Sequence, residues 1–325
     1  MVKSFFNLIR YKNLLITGGL ILILKFVVFE TAIQETISMS SAQFSITKTI
    51  ILILSLIFLA AAGYIINDIT DVKTDHINKP EKVVIGVLIS LKSGKILFYL
   101  FNFIGIGLGI YLGHKMGNYQ IGLLHGFVAI TLWIYSVYLK GTILVGNIII
   151  AFASATVPII YFAFEGYAYI QKYGNILIQN YGSRIGGPNE ILLNFCLILS
   201  IFAFILSLAR EIIKDIEDRK GDAATGSKTL PIAYGDTVAK RTAQFLILCC
   251  ILLVFWLIHI KLSETNFITL FFIIYCYITI ISPSIYLIFF LNKINRKDDY
   301  NKASLILKFI MICGISTAFI YASNV

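Results

Sequence analysis

Long apolar runs alternate with short polar stretches nine times along the chain. The runs fall at 14–29, 48–66, 96–113, 120–139, 143–164, 191–209, 243–262, 267–291 and 303–321. Each is close to the roughly 20 residues that a helix needs to cross a bilayer core. Backbone N–H and C=O groups cannot go unpaired in lipid, and the period-two alternation of an outer-membrane barrel is absent. The pattern predicts an all-α fold, a polytopic membrane bundle of nine transmembrane helices around a central cavity. It is read as a single domain over 1–325, made of two pseudo-repeated halves. Composition agrees: 58% of residues are hydrophobic and 14% charged, against about a quarter charged in soluble domains. The first run contains Lys25 and is not followed by a small-residue cleavage site, so it is expected to be a retained span. Lys25 itself is given no role, and its removal is expected to be mild. Pro158 and Pro283 are expected to kink the fifth and eighth spans.

Charge then sets an orientation. If the N-terminus is cytoplasmic, the inner segments hold 20 Lys and Arg residues and the outer ones 5. The positive-inside rule therefore predicts an inner-membrane protein with its N-terminus inside and its C-terminus outside. A cytoplasmic face against anionic lipid accounts for the net charge of +10 without a nucleic-acid partner. The five cysteines lie in apolar runs with no CxxC pair, and are expected to be small buried hydrophobes. The four histidines have no zinc-ligand spacing.

Both clusters of acidic residues fall on this inner side. Residues 67–75 read NDITDVKTD and residues 214–222 read KDIEDRKGD, and each follows a long apolar run. Asp68, Asp71 and Asp75 repeat the +3, +4 spacing of Asp215, Asp218 and Asp222, which places three carboxylates on one helix face. Like charges in a row at a membrane surface need countercharge. Oxygen donors at this spacing suit Mg²⁺, which takes one or two carboxylates and completes its shell with water and substrate phosphates. Two facing clusters would hold Mg²⁺ ions around a diphosphate and neutralise its departure. A single cluster would pass as a solvated helix end; two with equal spacing are expected to be functional.

These nine-residue stretches resemble the NDxxDxxxD and DxxDxxxD motifs of the UbiA superfamily of intramembrane prenyltransferases. The first matches at Asn67, Asp68, Asp71 and Asp75, and the second at Asp215, Asp218 and Asp222. The resemblance extends to the nine spans, to YSVYLK at 135–140 and to INKP at 77–80. It implies metal binding by the six aspartates and diphosphate binding by Lys140 and Asn67. Lys73 and Lys214 lie in or beside the clusters, and Lys228, in TGSKTLP, is expected on a loop that closes over the site. Arg10 and Asn13 resemble a polar pair at the start of the family's first span. Tyr64, Tyr135 and Tyr138 lie near the inner ends of spans two and four. Tyr135 is the strongest candidate to face an allylic carbocation, which aromatic faces stabilise. Asn147 and Asn194 are expected to make interhelical hydrogen bonds.

The implied activity is Mg²⁺-dependent transfer of a polyprenyl group, such as geranylgeranyl, from its diphosphate to a membrane-soluble acceptor. Many members acting on aromatic acceptors follow NKP with an Arg-Pro pair, whereas this chain reads NKPEKVVIG. That points to geranylgeranylglyceryl phosphate and an ether product. The alternative acceptors are 4-hydroxybenzoate and 1,4-dihydroxy-2-naphthoate. A divalent-cation transporter is the alternative of another class, but it would carry its carboxylates near mid-membrane rather than at the inner ends of spans.

Overall fold

The computed structural model describes residues 2–36, 44–262 and 267–322. Among the described residues there are nine helices long and apolar enough to cross a membrane: α1 Tyr11–Ile33, α2 Ile46–Thr70, α3 Leu91–Lys115, α4 Tyr119–Leu139, α5 Val145–Tyr181, α6 Pro188–Ala224, α7 Asp236–Ile260, α8 Phe267–Lys293 and α9 Lys297–Ile320. The all-α, nine-span expectation holds. The chain divides into two compact units. The first comprises Met1–Leu139 and Thr156–Leu197, and the second Lys140–Ala155 and Ile198–Val325. The cluster at 67–75 belongs to the first unit and the cluster at 214–222 to the second.

In the first unit α2, α3 and α4 pack closely because α3 presents small residues one turn apart. Gly105 lies against Leu59 and the Ser55 carbonyl of α2, Gly109 against His125 of α4, and Gly113 against the backbone of Gly122. The Ser55 hydroxyl donates to the Gly105 carbonyl at 2.6 Å. Small residues at four-residue spacing let helix backbones approach where lipid gives no hydrophobic drive. Beneath the first aspartate cluster lies a small apolar core of Leu8, Ala62, Ile65, Ile66, Val84, Ile85 and Phe98. The second unit is built on a larger core in which Leu206, Ala209, Ile213 and Ile216 of α6 meet Ala243, Ile247 and Cys250 of α7 and Leu307 and Ile310 of α9. All five cysteines are free, and four of them are buried.

Two spans are longer than the hydropathy pattern predicts. α5 and α6 each run 37 residues, about 55 Å at 1.5 Å per residue. For α5 the expected end was 164, where charges and glycines begin. The helix continues because one of its faces stays apolar: Tyr161, Phe164, Tyr169, Tyr173 and Leu177 are buried at three- to five-residue spacing. Glu165 sits on that buried side and forms an ion pair with Lys25 at 3.2 Å, the two side chains being 0% and 2% exposed. The Lys25 ammonium also donates to the Phe44 carbonyl at 2.6 Å, and Tyr161 donates to Glu165 at 2.9 Å. Lys25 is thus a buried cation with a structural role, which the sequence did not suggest. Leaving Glu165 charged and unpaired costs about 3–5 kcal/mol.

α1, α4 and α8 each contain a π-helical stretch, at Leu24–Phe29, Tyr135–Leu139 and Tyr277–Ile281. The first carries Lys25. The third ends just before Pro283, which then occupies the first turn of the helix Ser282–Lys293. Pro158 lies inside α5, which continues through it.

Candidate active site

The first cluster begins on the last turns of α2. The backbone pauses at Asp71 (φ −90°, ψ −1°) and resumes as the short helix Val72–Asn78. The i to i−4 bonds continue across the pause, from Asp71 N–H to the Asn67 carbonyl at 3.0 Å and from Asp75 N–H to the Asp71 carbonyl at 2.8 Å. The three aspartates therefore keep helical register. Asp71 occupies the sparsely allowed bridge region, where many active-site residues sit. The Asn67 amide donates to Asp71 Oδ2 at 3.0 Å.

Arg10 reaches the same place from the N-terminal side. It is a non-glycine residue in the left-handed region (φ 51°, ψ 51°) at the start of α1, a conformation that costs about 1–3 kcal/mol. Its guanidinium bonds Asp68 Oδ1 at 3.2 Å and lies 4.6 Å from the centre of the Tyr64 ring. Asn13 donates to the Tyr64 hydroxyl at 3.2 Å. Arg10, Asn13, Tyr64 and Asp68 thus form one connected set. The expected polar pair at the start of the first span joins the first cluster directly.

The second cluster lies on uninterrupted helix, since α6 runs through Asp215, Asp218 and Asp222 to Ala224. Its brace comes from another helix: the buried Asn147 of α5 donates its amide to Asp215 Oδ2 at 2.8 Å. Asn147 makes the interhelical bond expected of it, but to a site aspartate. Lys214 is turned to Glu211, one turn back, at 3.2 and 3.3 Å. Arg210 holds the same carboxylate at 2.9 Å. Glu211, four residues before Asp215, is not one of the residues the spacing singles out, and its charge is matched by both Arg210 and Lys214.

Lys140 and Lys228 line a single cavity of about 450 Å³ with Gly141, Thr142, Thr225 and Ser227. Tyr135 is half-buried at the start of the π stretch of α4, whereas Tyr138 is 64% exposed and packs edge-on against Trp133. Lys73 is exposed on the short helix beside Asp71 and Asp75, which are half-buried. Among the described residues no three His, Cys, Asp or Glu side chains form a ready-made metal site.

A digeranylgeranylglyceryl phosphate synthase of Methanobrevibacter smithii is 29% identical over 276 residues, covering 83% of this chain and 84% of its own. The protein of the same name from Methanococcus aeolicus is 32% identical over 253 residues, covering 78% and 75%. In fold, the chain matches a solved structure described as giving insight into digeranylgeranylglyceryl phosphate synthase in membranes (TM-score 0.61, 24% identity, 98% of each chain). It also matches a UbiA homologue from Archaeoglobus fulgidus bound to GPP and Mg²⁺ (TM-score 0.53, 15% identity, 97% of this chain and 99% of that one). The model of the UbiA prenyltransferase family matches residues 36–313, a stretch that contains both aspartate clusters. The chain therefore belongs to the UbiA prenyltransferase family and is an integral-membrane prenyltransferase.

Proposed function

We propose that this enzyme transfers a geranylgeranyl group from its diphosphate to the free glycerol hydroxyl of geranylgeranylglyceryl phosphate. The observation that carries the reading is the pair of carboxylate ladders, at the end of α2 and in the last turns of α6, each braced by an asparagine amide. They stand in a chain whose relatives, 29% and 32% identical, are digeranylgeranylglyceryl phosphate synthases. In the reaction the bond between the allylic carbon and the diphosphate oxygen breaks. A new bond forms between that carbon and the hydroxyl oxygen of the acceptor. The hydroxyl proton is lost and diphosphate leaves.

The donor set of Asp68, Asp71, Asp75, Asp215, Asp218 and Asp222 is hard, anionic and all oxygen, which fits Mg²⁺. The Archaeoglobus fulgidus homologue was solved with GPP and Mg²⁺, which supports Mg²⁺ as the metal used. The chemistry that Mg²⁺ supplies when bound is neutralisation of the departing diphosphate. Asn67 and Asn147 hold one aspartate of each cluster in place. Arg10 and Asn13 orient Asp68 and Tyr64, and Lys73 adds positive charge beside the first cluster. Lys140 and Lys228 supply fixed positive charge for a phosphorylated substrate, and Tyr135 offers its ring to the allylic cation. Lys214, held by Glu211, balances charge one turn before Asp215. Positive charge concentrated in segments 67–95 and 210–242 supports placing both clusters on the cytoplasmic face of the cell membrane.

The test is to incubate membranes containing the enzyme with Mg²⁺, geranylgeranyl diphosphate and a panel of acceptors, and to identify products by mass. An ether lipid from geranylgeranylglyceryl phosphate is expected, with no product in EDTA. Product on 4-hydroxybenzoate or 1,4-dihydroxy-2-naphthoate alone would remove the acceptor assignment. Mg²⁺ transport without release of diphosphate would remove the enzyme assignment.

A further inference from the structure

We propose that the turn at 83–90 and the first turns of α3 form a docking surface for an anionic lipid leaflet. Val87 and Leu88 enter the leaflet, and Lys92 and Lys95 meet its headgroups. The inference is independent of which acceptor the enzyme uses.

The turn is tight, and its tip is apolar. The N–H groups of Leu88 and Ile89 both donate to the Val84 carbonyl, at 2.9 and 3.0 Å, and the Gly86 N–H donates to the Ile89 carbonyl at 2.7 Å. Gly86 has φ +87°, which glycine holds without strain. Val84 and Ile85 are thereby folded inward, while Val87 and Leu88 stand outward, 60% and 55% exposed. A turn in water is usually tipped with Gly, Asn, Asp or Ser. Two adjacent branched apolar side chains there need a partner other than water.

The depth of the turn identifies that partner. Val84 and Ile85 pack with Ile65 and Ile66, where the second apolar run ends, and with Phe98, near the start of the third. A Cβ at Gly94 would fall 3.0 Å from the Ile85 side chain, so the turn lies directly against α3. It therefore sits at the edge of the hydrocarbon core. From Leu91 to the start of the third apolar run at Ile96 the helix rises about 7.5 Å, roughly the thickness of one headgroup layer.

The surface continues down α3 in the polarity order of a leaflet. Lys92, Lys95, Tyr99 and Phe103 follow one another at three- and four-residue spacing on one face, and all four are exposed. Ammonium groups stand at headgroup level, then a phenol, then a plain hydrocarbon ring. Leu91, exposed one turn before Lys95, joins the tip of the turn to this stripe. No acidic residue occurs between Glu81 and Glu165, so the lysines stand in a segment of one sign and complement anionic headgroups.

The turn also touches the first aspartate cluster. A Cβ at Gly86 would fall 3.6 Å from the Val72 side chain, and Val72 and Ile69 pack on the same small core as Val84 and Ile85. Val72 follows Asp71 and opens the short helix that carries Asp75. The leaflet thus holds the turn, and the turn steadies the helix of the first cluster.

The test uses the full-length enzyme with the half-buried Cys249 replaced by alanine, the four buried cysteines kept, and Leu88→Cys carrying an environment-sensitive fluorophore. It is reconstituted in phosphatidylcholine vesicles with and without phosphatidylglycerol. The emission should be blue-shifted, quenched by lipids spin-labelled near the headgroup, and protected from aqueous iodide. Phosphatidylglycerol should strengthen the lipid quenching about twofold, and Lys92→Gln with Lys95→Gln should remove that increment. Val87→Cys, labelled in the same way, should report the same environment. Val87→Ser with Leu88→Ser should raise the Mg²⁺ concentration for half-maximal diphosphate release severalfold. Labels open to iodide and untouched by the lipid spin labels would overturn the proposal. So would lipid quenching that disappears when a prenyl diphosphate is added, which would make the turn a lid over the substrate. An increment that survives loss of both lysines would overturn the anionic preference, and an unchanged Mg²⁺ requirement would overturn the link to the first cluster. Thermal unfolding of the double serine variant separates loss of docking from loss of fold.

Discussion

The two aspartate clusters have the same spacing and are built differently. The first interrupts its helix at Asp71, carries its own asparagine at 67 and receives Arg10 from the start of α1. The second lies on unbroken helix, has Lys214 where the first has Asn67, and takes its amide from Asn147 of α5. The braced aspartate differs too: Asp71, the middle one, in the first cluster, and Asp215, the leading one, in the second. The two nine-residue stretches share the spacing of their carboxylates and differ in local support: the second has no asparagine of its own, and Asn147 of α5 supplies an amide there. The carboxylate row is the shared requirement, and the way each row is held is local.

The largest effects should come from the shared feature. Asp71→Asn and Asp218→Asn remove charge with almost no change in shape. Each should lower turnover about a hundredfold or more, roughly 3 kcal/mol of transition-state stabilisation, the scale for one preorganised electrostatic group. If both rows serve one metal–diphosphate assembly, the double variant should be little worse than either single one, because groups acting as a unit are not additive. Steady-state rates on the purified variants decide this. An active Asp71→Asn beside a dead Asp218→Asn would make the first cluster a solvated helix end and break the comparison.

A second measurement separates catalytic charge from structural charge. Lys25 and Glu165 form a buried pair with none of the spacing of the clusters. Lys25→Ala should destabilise the fold by about 3–5 kcal/mol, seen as a lower thermal unfolding temperature and lower yield. The folded fraction should keep near-normal turnover. Lys25→Met combined with Glu165→Gln should recover much of the stability, since replacing both charges removes the uncompensated one. A wild-type unfolding temperature for Lys25→Ala would mean that the pair contributes nothing.

What could be read from the sequence divides along physical lines. The nine spans, the helical register of both clusters and the membrane class follow from periodicity and composition, which are local. The partners of the clusters do not. Arg10 finds Asp68 across 58 residues and Asn147 finds Asp215 across 68, and no local pattern encodes such a meeting. Arg10 could be nominated only through resemblance, and Asn147 only as an unspecified interhelical donor. The ends of α5 and α6 were missed for a related reason. Hydropathy falls when charged residues begin, yet Glu165 is buried because Lys25, 140 residues away, lies opposite it. The close packing of α3 is encoded locally, in the four-residue spacing of Gly105, Gly109 and Gly113.

The smallest predicted effects concern the two asparagines, and they bear most directly on how each row is held. Hydrogen bonds to charged groups are worth about 1.5–3 kcal/mol, so losing a brace on a site aspartate should cost roughly ten- to a hundredfold if that aspartate must stay in one orientation. Asn147→Ala should lie in that range, because Asn147 is 7% exposed and its amide ties Asp215 to another helix. Asn67→Ala should cost less, about three- to tenfold. Its bond to Asp71 is an i,i+4 contact on a half-buried face, and the backbone bonds on either side of Asp71 keep the register without it. Both variants should raise the Mg²⁺ concentration needed for half-maximal rate, a readout that general loosening of the bundle would leave in place. If Asn147→Ala stays within twofold of wild type in both rate and Mg²⁺ dependence, Asp215 needs no brace, and the borrowed amide is packing rather than a replacement for the asparagine that the second cluster lacks.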